Sequence, residues 1–343
     1  MDSLTQIALG AAVSVAVMRR RTAVWKAALW GAVAGTLPDL DVFIDHGDPI
    51  LNMVLHRAHS HALLWLTLLA LPLTAAVTRL HGEGALWRRW GLALWLALVT
   101  HPLLDTLTIY GTQLAQPFSS HPFAVGSVFI IDPLVTLPWL FGVAWALARR
   151  GQAASLRAND VGLLLGVLYL AAGVLAQHTV RNEALLALRA QGLPQLRSEQ
   201  LLVTPAGFSV LLWRVVALDG AHFLEGYRSL LDPPGPLHVE RYARGAALDA
   251  ALGTLADTNA QAARVRAFSH GFYKVDEADR LVRICDLRMG AQPHYSFCFA
   301  LARRASPLRP LPAPLAVGSR VDLQRALPWF WARLRGQPVA PPN

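Results

Sequence analysis

Six apolar runs crowd the first 179 residues, at 4–18, 23–37, 62–77, 90–104, 127–148 and 161–176. A helix that crosses a membrane needs about 20 apolar residues, with a range of roughly 17–25. The fifth and sixth runs meet or approach that length, the third and fourth reach it with their flanks, and the first two are short. The first pair therefore reads as a tilted hairpin or a partly re-entrant element. Buried core helices are the alternative, but apolar runs this dense rarely crowd a soluble core. Composition agrees: 54% of the 343 residues are hydrophobic and 15% charged, against about 25% charged in soluble domains. A disordered chain and a disulfide-dense secreted miniprotein are excluded as well. The first run has no basic region ahead of it and a basic cluster behind it, the reverse of a cleavable signal peptide.

Charge divides the chain and orients it. Residues 1–179 carry eleven Lys/Arg and nine Asp/Glu, and residues 180–343 carry the other twenty and thirteen. The net charge of +9 does not indicate nucleic acid, because no basic stretch is interleaved with aromatics. Arg19, Arg20, Arg21 and Lys26 follow the first run; Arg79, Arg88 and Arg89 follow the third; Arg149, Arg150 and Arg157 follow the fifth. The alternate loops differ: residues 38–61 hold four Asp and one Arg, and residues 105–126 hold no Lys or Arg. By the positive-inside rule the Arg-rich loops face the cytoplasm. The expectation is an α-helical integral membrane domain of about six spans over 1–179, with both chain ends outside.

Residues 180–343 read as a smaller α+β extramembrane domain ending in a Pro-rich tail. Strands are expected at 200–205 and 208–218, where β-branched and aromatic residues concentrate. Helix is expected over 243–256 and onward to 268. A hairpin over 281–287 and 295–302 would bring Cys285 opposite Cys298 if its turn centres between Ala291 and Gln292. A disulfide and two buried free thiols both fit that arrangement. The Pro-rich stretches 307–314 and 338–343 read as an extended linker and a frayed tail.

The chemistry-bearing residues fall in the loops assigned to the outer face. Asp39 and Asp41 close the second run, where two carboxylates in a turn can approach one metal ion or simply serve the turn. His56, Arg57, His59 and His61 precede the third run, with Ser60 expected to cap the following helix. Imidazoles there suit a first-row metal, and Arg57 suits a phosphate or carboxylate. The alternative is a pH-sensitive histidine cluster at the membrane surface. His101 and Asp105 end the fourth run, four residues apart on one helix face. Asp132 opens the fifth helix as a cap or as a further site residue. No Cys lies in this half, so a thiolate zinc site is excluded there.

In order, these motifs resemble a family of bacterial inner-membrane proteins known as membrane-bound metal-dependent hydrolases, some of them LexA-regulated. The resemblance runs from Met1-Asp2-Ser3-Leu4-Thr5-Gln6 through Gly35-Thr36-Leu37-Pro38-Asp39-Leu40-Asp41 to His56-Arg57 and Ser60-His61. It continues with His101-Pro102-Leu103-Leu104-Asp105, Tyr110-Gly111-Thr112-Gln113 and Ile131-Asp132-Pro133. Leu212-Trp213-Arg214, Gly226-Tyr227 and Asp286-Leu287-Arg288 resemble its longer subfamily. The resemblance implies a metal set of Asp39, Asp41, His56, His61, His101 and Asp105, with Arg57 binding a substrate anion. Related sequences often place Glu where this chain has Val15, which bears on metal number and activity.

The leading expectation is a hydrolase at the outer face of the inner membrane, using one or two divalent ions, zinc or manganese. Its expected partners are membrane lipids and a lipid-like ester or phosphoester, with Asp41 or Asp105 taking a proton from water. The competing expectation is a non-enzymatic metal-binding protein or a transporter. Polar groups at helix ends on one face, with no repeat, favour a surface site over a transport pathway.

Overall fold

The computed structural model describes residues 1–233, 235–319 and 321–341. The chain divides into a helical unit of residues 1–44, 55–175 and 207–210, and a second unit of 45–54, 176–206 and 211–343.

Helix α1 (Ser3–Met18) starts at Asp2, whose carboxylate accepts from the Thr5 N–H at 3.1 Å. It lies directly against α2 (Val24–Thr36). A Cβ on Gly10 would stand 2.2 Å from the Gly31 carbonyl oxygen, and one on Gly31 would stand 2.3 Å from that of Gly10. Glycine at both positions is thus what lets the two backbones touch. A short α3 (Pro49–Leu55) precedes α4 (Leu63–Leu80), α5 (Trp87–Asp105) and α6 (Pro133–Ala148). Trp90, Leu94 and Leu98 from α5 and Trp139 from α6 fill the core with Ala12, Val15, Ala27 and Ala34. The fifth apolar run becomes helical only from Pro133, because Asp132 accepts from the Leu134 N–H at 3.0 Å and sets the cap there. The Tyr169 hydroxyl donates to the same carboxylate at 2.9 Å. Asp132 is therefore a cap residue.

The sixth run lies inside α7 (Ala153–Ala190), a helix of 38 residues that continues through the expected boundary at 180. Among the described residues two helices, α4 and α7, are long and apolar enough to cross a membrane by length and composition, whereas α1 and α6 are shorter apolar helices. In α4 and α7 only 28% and 22% of the apolar stretch is buried. Leu64, Trp65 and Leu68 on α4, and Leu164, Leu165 and Leu168 on α7, stand exposed. Helices at the core of a soluble domain hide such side chains, and contiguous exposed apolar surface marks contact with lipid or a partner.

The second unit is built on two four-stranded sheets. Strands β1 (Leu201–Gly207), β2 (Ser209–Asp219), β3 (His222–Ser229) and β4 (Val239–Ala243) form the first, in that order. Helices α8 (Ala246–Gly253) and α9 (Ala256–Phe268) follow. Strands β5 (Tyr273–Ala278) and β6 (Leu281–Asp286) join the second sheet, and β7 (Gly290–Ala291) pairs with β8 (His294–Tyr295) in the turn beyond them. With β9 (Cys298–Arg303) and β10 (Arg309–Ala316) the second sheet has the order β10-β9-β6-β5. Cys285 pairs with Cys298 across β6 and β9, and the two form a disulfide.

One expectation is corrected here. The Pro-rich stretch at 307–314 is largely strand β10, at the edge of the sheet and with an irregular register between Pro310 and Leu315. Proline lacks an N–H, and an edge strand can turn that side away from the ladder. The chain ends with α10 (Leu323–Leu334) and a segment without regular structure to Pro341. Pro342 and Asn343 of the expected tail lie outside the described residues.

Candidate metal centre

Four of the expected ligands converge. Asp39 sits on a 3-10 turn after α2, His61 on a 3-10 turn before α4, and His101 and Asp105 one turn apart at the end of α5. Their potential ligand atoms all lie within 4.8 Å of one another. The two Nε2 atoms of His61 and His101 are 3.1 Å apart. Asp39 Oδ1 and Asp105 Oδ2 each stand 3.4 Å from both of these nitrogens. Ligands about 2.0–2.2 Å from a tetrahedral ion would stand roughly 3.3–3.6 Å from one another.

Hydrogen bonding fixes what those atoms offer. His101 Nδ1 lies 2.6 Å from the Gly35 carbonyl oxygen, one of the last-turn carbonyls that a helix leaves without an internal partner. A carbonyl only accepts, so Nδ1 carries the proton and Nε2 presents a lone pair. Ser60 Oγ donates to Asp41 Oδ2 at 2.5 Å, which leaves its oxygen to accept from His61 Nδ1 at 2.9 Å. His61 Nε2 therefore presents a lone pair too. Two lone pairs and two carboxylate oxygens face one point, and buried Asp105 Oδ2, though 3.2 Å from Arg57 Nε, accepts no well-aligned hydrogen bond. With both imidazoles in that tautomer, a cation held between the four acceptors would satisfy all of them. The residues thus fit a divalent metal ion. Without an ion between them the crowded carboxylates would favour a proton on His61 instead: burial alone would lower its imidazole, but Asp105, Asp39 and Asp41 outweigh it and push it up to about 9. Burial would raise the Asp39 carboxyl, yet His101 and His61 hold it below the ordinary carboxylate range.

Asp41 and His56 stand one step behind this set. His56 Nδ1 is 2.8 Å from Asp41 Oδ1, while Asp41 Oδ2 accepts from the Arg57 N–H at 3.0 Å and from Ser60. Asp41 thereby holds Ser60, and through it the proton on His61 Nδ1. Ser60 was expected to cap α4, but the cap position is Ala62, with no side-chain cap; the Ser60 hydroxyl is committed to Asp41. Arg57 has φ 62° and a buried side chain. Its Nε lies 3.2 Å from Asp105 Oδ2, its Nη1 donates to Thr108 at 3.1 Å, and its guanidinium lies over the Tyr110 ring. His59 is exposed and outside the cluster.

Two contributors escaped the sequence reading. Gln6 on α1 donates through Nε2 to Asp105 Oδ1 at 3.1 Å and to the His101 carbonyl at 3.3 Å, leaving its buried Oε1 without a partner. The Met1 ammonium also donates to Asp105 Oδ1. Both residues stood inside the opening motif, but nothing in their spacing points to a residue about a hundred positions away. Val15 is fully buried in the apolar core, so the cluster forms with no carboxylate at that position.

A family model described as YdjM inner membrane protein matches residues 1–180. The chain belongs to this family. No curated protein and no solved structure matches the chain. The YdjM match contains every residue of the Asp/His cluster, and the sheet-bearing part of the chain lies almost wholly beyond it. Family membership makes this a bacterial inner-membrane protein, in keeping with the exposed apolar faces of α4 and α7.

Proposed function

We propose that the chain is a membrane-bound metal-dependent hydrolase that holds a divalent ion, zinc or manganese, on Asp39, His61, His101 and Asp105. The observation that carries this reading is the convergence of two imidazole nitrogens and two carboxylate oxygens within 4.8 Å of one another, three of the four residues being buried. An ion bound there that also keeps one coordination position open to water would supply Lewis acidity and lower the pKa of that water. Gly35 and Ser60 hold the two imidazoles in the ligating tautomer. Arg57, Gln6 and the Met1 amino group contact Asp105 and hold its orientation. Asp39 is the exposed member, with 22% of its side chain accessible against none for the other three. The greater exposure of Asp39 supports giving it, in place of the expected Asp41 or Asp105, the proton of an entering water in this reading. Arg57 is placed to steady Asp105, and it meets a substrate anion only if that anion reaches its buried guanidinium.

The reading includes six spans with both ends outside, the Asp/His cluster and the C-terminal region on the outer side, and a lipid-like ester or phosphoester as substrate. The Cys285–Cys298 bond supports the outer placement, because disulfides persist in oxidising compartments. Reporter fusions after Arg88, after Thr112 and at the C-terminus test the topology; a cytoplasmic signal after Thr112 would reverse it. Metal analysis of the detergent-purified protein, followed by a screen of phosphoester and lipid-ester substrates, tests the chemistry. Bound metal with turnover that is lost in His101→Ala is the expected result. A protein without metal, even after reconstitution with zinc and manganese, would overturn the hydrolase reading.

A further inference from the structure

The last helix carries a second feature, independent of the metal centre. One side of α10 is fixed to its own unit. Phe330 and Leu334 are buried, Ser229 Oγ donates to the Leu334 carbonyl at 2.6 Å, and Arg333 donates to both oxygens of Asp232 at 2.6 Å. The adjoining side is apolar and open. Leu323, Leu327 and Trp331 recur every four residues and are 57%, 39% and 53% exposed, and at 3.6 residues per turn they form one stripe. Leu230 and Leu231, also exposed, lie in the turn that Ser229 and Asp232 hold against the C-terminal end of the same helix. Arg335 borders the stripe, exposed and with no acidic partner among the described residues. Of the three Arg in residues 321–337, Arg333 is paired with Asp232 and Arg325 lies near the capping Asp322, so Arg335 is the cation left at the edge of the stripe.

We propose that this face of α10 docks on the anionic surface of the bilayer. A helix with Leu and Trp along one side and arginine at its border matches the makeup of helices that lie in the membrane interface. Tryptophan favours the headgroup level, where its ring is apolar on its faces and its N–H finds polar partners. The Arg335 guanidinium at its edge complements a phosphatidylglycerol-type headgroup. The bilayer is also the surface this chain always has at hand: it belongs to an inner-membrane family, and the apolar helix α7 leads directly into the sheet-bearing unit.

The full-length protein in nanodiscs of phosphatidylethanolamine and phosphatidylglycerol provides the test. The native cysteines are bonded to each other, so Leu327→Cys, Trp331→Cys and, on the opposite side of the helix, Arg325→Cys each introduce one labelling site. An environment-sensitive fluorophore at 327 and 331 should shift to the blue and be quenched by nitroxides on the lipid tails, in keeping with a depth of about 5–10 Å. The label at 325 should respond to aqueous iodide instead. Adding Arg335→Glu to the 327 variant should weaken the lipid quenching. Equal iodide quenching at all three positions would overturn the proposal, and shielding of 327 and 331 from both quenchers would assign the face to a second copy or another protein.

Discussion

Each half of the chain buries a cluster of charged groups, and the two differ in whether donors and acceptors match. In the sheet-bearing unit Arg214 and Glu225 form a two-pronged pair, Nε to Oε1 at 3.0 Å and Nη2 to Oε2 at 2.8 Å, while Nη1 donates to the Leu287 carbonyl at 2.7 Å. Glu225 also accepts from the hydroxyls of Tyr227 at 3.1 Å and Tyr295 at 3.2 Å. Burial would raise the Glu225 carboxyl, but the Arg214 guanidinium outweighs it and holds it below the usual range. The pair completes itself. In the helical unit Arg57 and the Met1 ammonium reach Asp105 from outside, while the two imidazole nitrogens and two carboxylate oxygens face each other with no side-chain donor among the described residues set between all four. Burial and charge are common to both regions, so neither marks a functional site; unmatched acceptors do.

The largest effect that could break this contrast lies at the unmatched cluster. His61→Ala combined with His101→Ala should take bound metal from about one ion per chain to none, since the pair removes both imidazoles from the four-residue set. The double variant should keep its far-UV circular dichroism, which separates loss of the ion from loss of fold. Unchanged metal content would show that the four acceptors do not hold the ion.

Next comes the matched cluster. Arg214→Met leaves the Glu225 carboxylate buried and unpaired and should cost about 3–5 kcal/mol, whereas Arg214→Met with Glu225→Leu should cost much less. Thermal unfolding of the sheet-bearing unit, followed by amide exchange in β2 and β3, reads the difference. Metal content should not move in either variant. Because the folded Glu225 carboxyl is depressed, its stabilisation is present above the unfolded value near about 4.3 and is lost as pH falls through the lower folded value. Acid should therefore loosen wild-type β2 and β3 and have little such effect on the double variant.

Local signals in the sequence carry both halves far, and long-range partners mark where they end. The six apolar runs all fall on helices, because apolar density is a property of the segment itself. Their lengths were less legible: the Asp132 cap shortens α6, and α7 runs on to Ala190. The Cys285–Cys298 register follows from counting residues to a turn centre, a local operation. Strand β10 was hidden because its prolines read as a linker, and only the neighbouring β9 makes an edge strand of them. At the metal centre Asp39, His61, His101 and Asp105 were legible as residue types at helix ends. The pairing of Ser60 with Asp41 was not, nor that of Gln6 with Asp105, since 19 and 99 residues separate the partners.

The disulfide tests the comparison at a smaller scale. Cys285→Ser with Cys298→Ser opens a loop with a sequence separation of 13, for which the expected loss is about 2–4 kcal/mol. The loss should be confined to the β6–β9 region and leave metal content unchanged. Thiol alkylation in intact cells before and after reduction adds a report on sidedness: an oxidised pair fits an outer placement of the second unit, and two free thiols would count against it.

The smallest effect separates ligands from the groups behind them. Asp41 and His56 belong to the expected metal set, but the structure seats them where they orient His61 through Ser60. Asp41→Asn and His56→Ala should therefore keep the ion and bind it about 10–100-fold more weakly, the usual consequence of removing a group that positions a ligand. Asp41→Asn should have the larger effect, because Asp41 contacts Ser60, His56 and the Arg57 backbone at once. Competition with a chelator of known zinc affinity measures the change. Complete loss of the ion in Asp41→Asn, matching His101→Ala, would place Asp41 among the ligands and extend the unmatched set to a second cation.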